Sequence, residues 1–233
     1  MPFPFRRAVL ACSLLIVSAA HADAPVTDGA RTLAALQNSG LDPELLRKGL
    51  EAVACAQDKG HPRAARLGVI DFRLPSSERR LWVLDLATGE ILFHEHVAHG
   101  RGSGEALASR FSNVSESYTS SLGLFETLEP YSGANGYSLR LQGLEPGIND
   151  RAYERAIVMH GADYVGEGFI KTAGRLGRSY GCPAVRPEIA RPLIDTLRGH
   201  QYLFAYAEAP NWPGTPASLG CESAAKPMQT AAQ

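Results

Sequence analysis

Residues 79–100 read RRLWVLDLATGEILFHEHVAHG, with apolar residues alternating on either side of Thr88-Gly89. Wound as a helix, that period would scatter its apolar side chains around the surface. Paired as two strands about a tight Thr-Gly turn, it gives a hairpin with one face to bury. The same signature recurs. GVIDFRL precedes the hairpin, and SLGLFETLEPYSG and YSLRLQGLE follow it, bounded by Gly, Pro and Asn. RAIVMHG forms an apolar strand ending at His160, and QYLFAYAEA forms a last buried strand. Many short strands with few helices predict a mainly β fold, a sandwich or barrel.

Two stretches read as helix. LDPELLRKGLEAVACAQDKG (41–60) places Asp42 at the N-cap, Pro43 in the first turn and Glu44 behind it, with Leu46, Leu50, Val53 and Ala54 on one face and Gly60 and Pro62 ending it. RPEIARPLIDTLRGH (186–200) is a short helix closed near Gly199. The segment between His160 and Cys182 reads as one glycine-rich loop. The Pro-, Ala- and Ser-containing tail from Pro210 is expected to be disordered.

The first 22 residues do not belong to this fold. Arg6 and Arg7, an apolar run from Ala8 to Ala20 and the small-x-small site Ala20-His21-Ala22 make a secretory signal peptide. The run is too short to span a bilayer. The organisation expected is a signal peptide over 1–22, a helical extension over 23–65, a catalytic domain over 66–208 and a flexible tail over 209–233. The protein is expected to be exported to the periplasm as a monomer, with no transmembrane segment after cleavage. Cleavage would leave 21 basic and 24 acidic residues. That balance excludes nucleic acid as a partner on electrostatic grounds.

Export makes the cysteines informative. Cys12 leaves with the signal, and Cys55, Cys182 and Cys221 remain. An odd number in an oxidising compartment leaves a thiol over. A Cys55–Cys221 bridge with Cys182 free is the preferred arrangement, and other pairings stay open. Cys182 lies 22 positions after His160, with Gly161, Gly166, Gly168, Gly174, Gly177 and Gly181 between them. A thiol becomes a useful nucleophile when an imidazole takes its proton, and the glycines allow the segment to fold back and join the two. Backbone N–H groups around Cys182 can then face a developing oxyanion, although Pro183 offers none.

At these residues the sequence resembles the L,D-transpeptidase (YkuD-type) catalytic domain, in its divergent murein branch. The likeness runs through IDFRLPSSERRLWVLDL, VAHGRGSG, FSN, SSLG, YSLRLQGLE and GRLGRSYGCPAV, covering about residues 66–208. It implies an L,D-transpeptidase-like β-sandwich or barrel with a short N-terminal helical extension, and no metal or organic cofactor. It implies Cys182 as nucleophile and His160 as general base, with the Gly161 carbonyl orienting the ring. Ser179 and Gly181 match the family's Ser/Thr and glycine before the cysteine. Two positions depart from the commonest motif: Tyr180 replaces a second histidine, and Ala184 an Arg or Asn. Arg178 or Arg186 is the candidate replacement cation, and Tyr180, His99 and Arg101 complete the expected substrate-binding set.

The implied substrate and partner is a peptidoglycan stem tetrapeptide, attacked at its third residue with loss of D-alanine to form a 3-3 cross-link. A thiol L,D-carboxypeptidase or amidase on the same fold is the alternative, as is a non-catalytic wall-binding protein with Cys182 in a disulfide. His94, His96 and His99 invite a zinc reading, but on a strand the third ring points away from the first two and no acid stands at a ligand spacing.

Overall fold

The computed structural model describes residues 40–210, 212, 214 and 217–221. The signal-peptide expectation, and a short helix expected over RTLAALQ, lie outside them. One mixed sheet of eight strands organises the domain: β1 (Arg66–Asp71), β2 (Leu81–Asp85), β3 (Ile91–Glu95), β4 (Gly123–Gly133), β5 (Gly136–Gly143), β6 (Val158–Gly161), β7 (Ala184–Val185) and β8 (Tyr202–Tyr206). The strand order is β3-β2-β1-β8-β4-β5-β6-β7. β1 runs parallel to β8 and β6 parallel to β7, and the remaining neighbours are antiparallel. The hairpin forms as expected, with Gly89 in its turn at φ +73°.

The two outer strands do not leave open edges. Just past β3, Ala98 pairs with Ala184 of β7, its N–H donating to the Ala184 carbonyl at 2.8 Å, and Gly100 bridges Ser179. The sheet thereby curls into a near-barrel, which removes edges that would otherwise template aggregation. The join is the seam at which the candidate site is built.

β1 and β8 are buried almost throughout because both of their faces are covered. Helix α1 (Pro43–Asp58) lies on the face carrying Leu67 and Phe204. A Cβ at its Gly49 would sit 3.2 Å from the Phe204 ring, so glycine permits the close approach. Helix α3 (Pro187–Leu197) reaches the opposite face, where a Cβ at Gly68 would sit 3.5 Å from the Leu197 side chain. Asp42 caps α1 by accepting from Glu44 N–H at 2.9 Å. The buried face of α1 is Leu45, Leu46, Gly49, Ala52, Val53 and Ala56; Leu50 is half-buried and Ala54 points to solvent.

Two features differ from expectation. The loop between His160 and Cys182 contains a helix, α2 (Glu167–Ala173), begun at Gly166 and stopped by left-handed Gly174. Three of the glycines thus sit at or near helix ends, where glycine is favoured. The tail is also anchored beyond Pro210. Trp212 is buried beside Phe204 and Tyr206 and donates to Glu145 at 2.8 Å. Cys221 closes a disulfide with Cys55 of α1. Indole burial and a covalent tie outweigh a polar composition.

Candidate active site

Three chain segments meet at the seam: 99–104 after β3, 117–121 before β4, and 179–182 before β7. Their backbones are packed without side chains between them. A Cβ at Gly100 would fall 2.3 Å from the Tyr118 carbonyl and 2.8 Å from Gly181 Cα. Gly181 adopts φ +130°, and a Cβ there would meet the Thr119 carbonyl at 2.8 Å. Only glycine fits either position. Buried hydroxyls supply the remaining bonds. Ser120 Oγ donates to the Gly181 carbonyl and accepts from Gly100 N–H, both at 3.0 Å. Ser103 Oγ accepts from Ser120 N–H at 2.9 Å.

Ser179 shapes the turn that presents the thiol. Its Oγ donates to the Cys182 carbonyl at 2.7 Å and accepts from Gly181 N–H at 3.0 Å. Its own N–H donates to the His99 carbonyl at 3.0 Å, and its carbonyl accepts from Arg101 N–H at 2.8 Å. The turn is therefore fixed from both sides before the sulfur is reached.

Cys182 is the free cysteine among the described residues and is 8% exposed. Its sulfur lies against the start of β6, accepting from Val158 N–H at 3.4 Å and donating to the Ala156 carbonyl at 3.7 Å. Ala156 holds that carbonyl with a left-handed φ of +53°, which is costly for a residue with a Cβ. Two residues after Val158, His160 is 5% exposed, and its Nδ1 lies 2.9 Å from the Gly161 carbonyl. A carbonyl only accepts, so Nδ1 carries the hydrogen and Nε2 of the neutral ring keeps its lone pair. The sulfur makes no hydrogen bond to this ring among the described residues. Burial pushes the Cys182 thiol up, opposed by the Val158 N–H, by the Arg155 charge and by the thiol's own backbone N–H. Burial pushes His160 down, opposed by the Gly161 carbonyl. Both shifts favour the uncharged forms, a thiol and a neutral imidazole, over an ion pair.

The expected substrate-binding residues separate on inspection. Tyr180 is 65% exposed beside the thiol, and Arg101 is exposed with it. Arg178 pairs with Glu105 at 2.6 Å, and Arg186 forms a two-pronged pair with Glu95 at 2.8 and 3.0 Å. Neither is a free cation replacing the one missing from the motif. His99 is fully buried and lines no cleft: its Nδ1 lies 2.7 Å from Arg80 and its pKa falls to about 4 through burial and that neighbouring charge. Of the histidines read as a zinc cluster, His94 stacks on Trp82 at 4.8 Å and His96 bonds the Ser77 carbonyl at 3.1 Å, so each ring serves a different neighbour.

Arg155 escaped sequence analysis. It bonds the Ser112 and Thr119 carbonyls at 2.7 and 2.8 Å and Ser121 Oγ at 2.6 Å, tying segment 112–121 to the approach of β6. Its Nε is the single buried side-chain polar atom without a partner among the described residues. Four of its contacts lie more than thirty residues away in sequence, so no local pattern announces it. A groove runs from Arg155 past Ile157, Tyr118 and Tyr180, with Glu116 and Glu154 along its rim.

Residues 37–206 match the family described as the L,D-transpeptidase catalytic domain, well over half of the chain. No curated protein matches the sequence. Among solved structures, the chain is similar to an L,D-transpeptidase from Mycobacterium smegmatis, at 15% identity and TM-score 0.39, covering 62% of this chain and 59% of that one. It is similar to an L,D-transpeptidase from Stackebrandtia nassauensis, at 14% identity and TM-score 0.39, covering 80% and 92%. It is also similar to the helical cell shape determining protein Pgp2 from Campylobacter jejuni, at 11% identity and TM-score 0.42, covering 62% and 48%. The chain thus spans about 59% of the length of the first of these. With the family match extending from before the capped helix α1 to the end of β8, the chain belongs to the L,D-transpeptidase catalytic-domain family.

Proposed function

We propose that this protein is an exported peptidoglycan L,D-transpeptidase in which Cys182 is the nucleophile and His160 the general base. The observation that carries this reading is the free thiol of Cys182 lying against β6 two residues before an imidazole whose Nδ1 is occupied by the Gly161 carbonyl. The rival reading, a non-catalytic protein with Cys182 in a disulfide, lacks its bridge, since the disulfide joins Cys55 to Cys221. Such a bridge persists in an oxidising compartment, which supports export and a periplasmic setting.

The substrate is a stem tetrapeptide. As it enters, the sulfur leaves the Ala156 carbonyl and gives its proton to His160 Nε2. The thiolate attacks the carbonyl of the third residue, and the charge that develops on oxygen falls to the N–H of Cys182. The Gly181 N–H is already held by Ser179, and Pro183 has none. Collapse breaks the peptide C–N bond, and D-alanine leaves with the proton from His160. An amine of a second stem then attacks the thioester, gives a proton to His160 and completes the cross-link as the C–S bond breaks. The thiolate recovers the proton. Ser179 and Gly181 hold the nucleophile's turn, and the family's scaffold supplies the rest.

The test is incubation with a disaccharide tetrapeptide, wild type against Cys182→Ala. The expected products of the wild type are free D-alanine and a cross-linked dimer, both falling to background in the variant. Free D-alanine without dimer means that water is the acceptor and that the enzyme is an L,D-carboxypeptidase. Undiminished product from Cys182→Ala removes the nucleophile assignment.

A further inference from the structure

Of the three arginines set beside the site by sequence, two are neutralised by Glu105 and Glu95. Arg101 is different. Among the described residues its guanidinium makes no ion pair and no hydrogen bond. It is held instead by two aromatic faces, 4.2 Å from the Tyr118 ring centre and 4.5 Å from that of Tyr180, and the two rings are 5.1 Å apart. The rings touch each other, so the guanidinium rests on both from one side, in the corner they make. Among the described residues its N–H groups have no partner, and a guanidinium fork matches a carboxylate with two parallel hydrogen bonds. The two ring contacts hold the group in advance, so less rotamer freedom is lost when an anion arrives.

The cation is tied to the turn that carries the thiol. Arg101 N–H donates to the carbonyl of Ser179, the residue that shapes the thiol's turn. Its neighbour Gly100 is packed on Gly181, and Tyr180 stands two residues before Cys182. Arg155, which lines the neighbouring groove, is occupied through its terminal nitrogens with backbone carbonyls and serine hydroxyls, and its unpartnered Nε is buried. The groove rim otherwise carries Glu116 and Glu154, which repel a carboxylate.

We propose that Arg101, resting on the rings of Tyr118 and Tyr180, binds the C-terminal carboxylate of the peptide attacked by Cys182, and so selects substrates with a free acid one residue beyond the scissile bond. This rests on Cys182 being the nucleophile. In such a peptide the carboxylate lies three bonds from the attacked carbonyl carbon, within the length of one residue, roughly 3.5 Å. The cation rests on Tyr180, two residues before the thiol, and its backbone bonds Ser179 of the same turn. The inference also gives Tyr180 a role in the place where the commoner motif has histidine: its ring is one of the two on which the cation rests.

The experiment uses a stem tetrapeptide and the same peptide as its C-terminal amide. Binding of each is measured by calorimetry to Cys182→Ala, then to Cys182→Ala carrying Arg101→Ala or Arg101→Lys. The acid is expected to bind about tenfold or more tighter than the amide, the range of a charge-assisted pair. Arg101→Ala is expected to erase the difference by weakening the acid alone, and Arg101→Lys, with charge but no planar fork, to restore part of it. In the otherwise wild-type enzyme, Arg101→Ala is expected to raise KM for the acid. Equal affinity for acid and amide, an acid preference that survives Arg101→Ala, or no binding of either peptide overturns the proposal. The binding ratio is read on a variant that lacks the thiol. Persistent turnover by Cys182→Ala would therefore remove the nucleophile assignment while the role of Arg101 is still decided by the ratio.

Discussion

Ser179→Ala tests whether the thiol's turn is held by one hydroxyl. The residue is 5% exposed, and its oxygen serves both the Cys182 carbonyl at 2.7 Å and the Gly181 N–H at 3.0 Å. Neither backbone group has another partner among the described residues, and both residues are buried. Alanine therefore strands a donor and an acceptor, at about 1–3 kcal/mol each. Because both bonds end on one oxygen and the turn can relax a little, a total of about 2–4 kcal/mol is the expectation. In a domain of this size each kcal/mol moves the melting temperature by about 2–4 °C, so the loss is about 4–16 °C. The assay is calorimetric unfolding of the oxidised protein at neutral pH, read beside turnover of the tetrapeptide. Turnover is expected to fall further than stability alone requires, since the turn that aims the sulfur has lost its anchor while the protein is still folded. Ser179→Thr, which retains the oxygen, is expected to recover most of both. A Ser179→Ala protein melting within about 2 °C of wild type, with turnover within twofold, would refute the reasoning.

The remaining expectations concern protons, the disulfide and the glycine. His160 is pushed below its ordinary value by burial, so the proposed base is mostly neutral at pH 6.5, and the acid limb of kcat/KM should lie below that pH; a limb centred above it contradicts the burial argument. Burial pushes the Cys182 thiol above its ordinary value. Little of it is thiolate at pH 7 in the free enzyme, and iodoacetamide labelling should be slow there and climb only as the pH becomes alkaline. Rapid labelling at pH 7 would indicate an ion pair instead. The raised thiol contributes stability that is lost as pH rises through its folded pKa, and the lowered imidazole contributes stability that is lost as pH falls through its own. The Cys55–Cys221 bridge spans 166 residues. Removing it by Cys55→Ser with Cys221→Ser should cost about 2–5 kcal/mol in denaturant unfolding, with loop-closure entropy setting the upper end; an unchanged midpoint would show that the bridge holds nothing the fold does not. Gly181→Ala drives a methyl to 2.8 Å from the Thr119 carbonyl at φ +130°. It should abolish turnover even where the protein still folds, and an active variant would mean that the seam is looser than its packing.

What could be read from the sequence was what the chain encodes locally. The hairpin at Thr88-Gly89, the capped helix at Asp42, the strand ending at His160 and the family match each rest on neighbouring residues, and each stands in the structure. Helix α2 was hidden because Gly166, Gly168 and Gly174 read as loop, although a left-handed glycine after a short apolar stretch is itself a helix stop. The charges were read less well. Arg178 and Arg186 look free in sequence, and their partners Glu105 and Glu95 stand 73 and 91 residues away. His99 looks like a loop histidine, yet a buried Arg80 holds it inside. Ion pairs of long sequence separation leave no periodic trace, so Arg101, expected from sequence alongside Arg178 and Arg186, is set apart from them only once their partners are known.

The seam explains why glycine stands next to the thiol. Barrel closure requires three irregular segments to run backbone against backbone, and side chains at Gly100 or Gly181 would hold them apart. Their peptide groups must then be satisfied without regular ladders, which is the work of Ser103, Ser120 and Ser179. A sulfur placed there is buried by the closure itself, which raises its pKa and keeps it a thiol. The same burial lowers the imidazole and keeps it a base. Closing the sheet and setting the protonation states of the two groups are thus one structural event. A barrel that tolerates opening at the seam would leave labelling of Cys182 unchanged when the donor of the Ala98–Ala184 bond is removed. If closure sets the chemistry, Ala98→Pro, which deletes the donor, should speed labelling of Cys182 at pH 7 by exposing the sulfur to water.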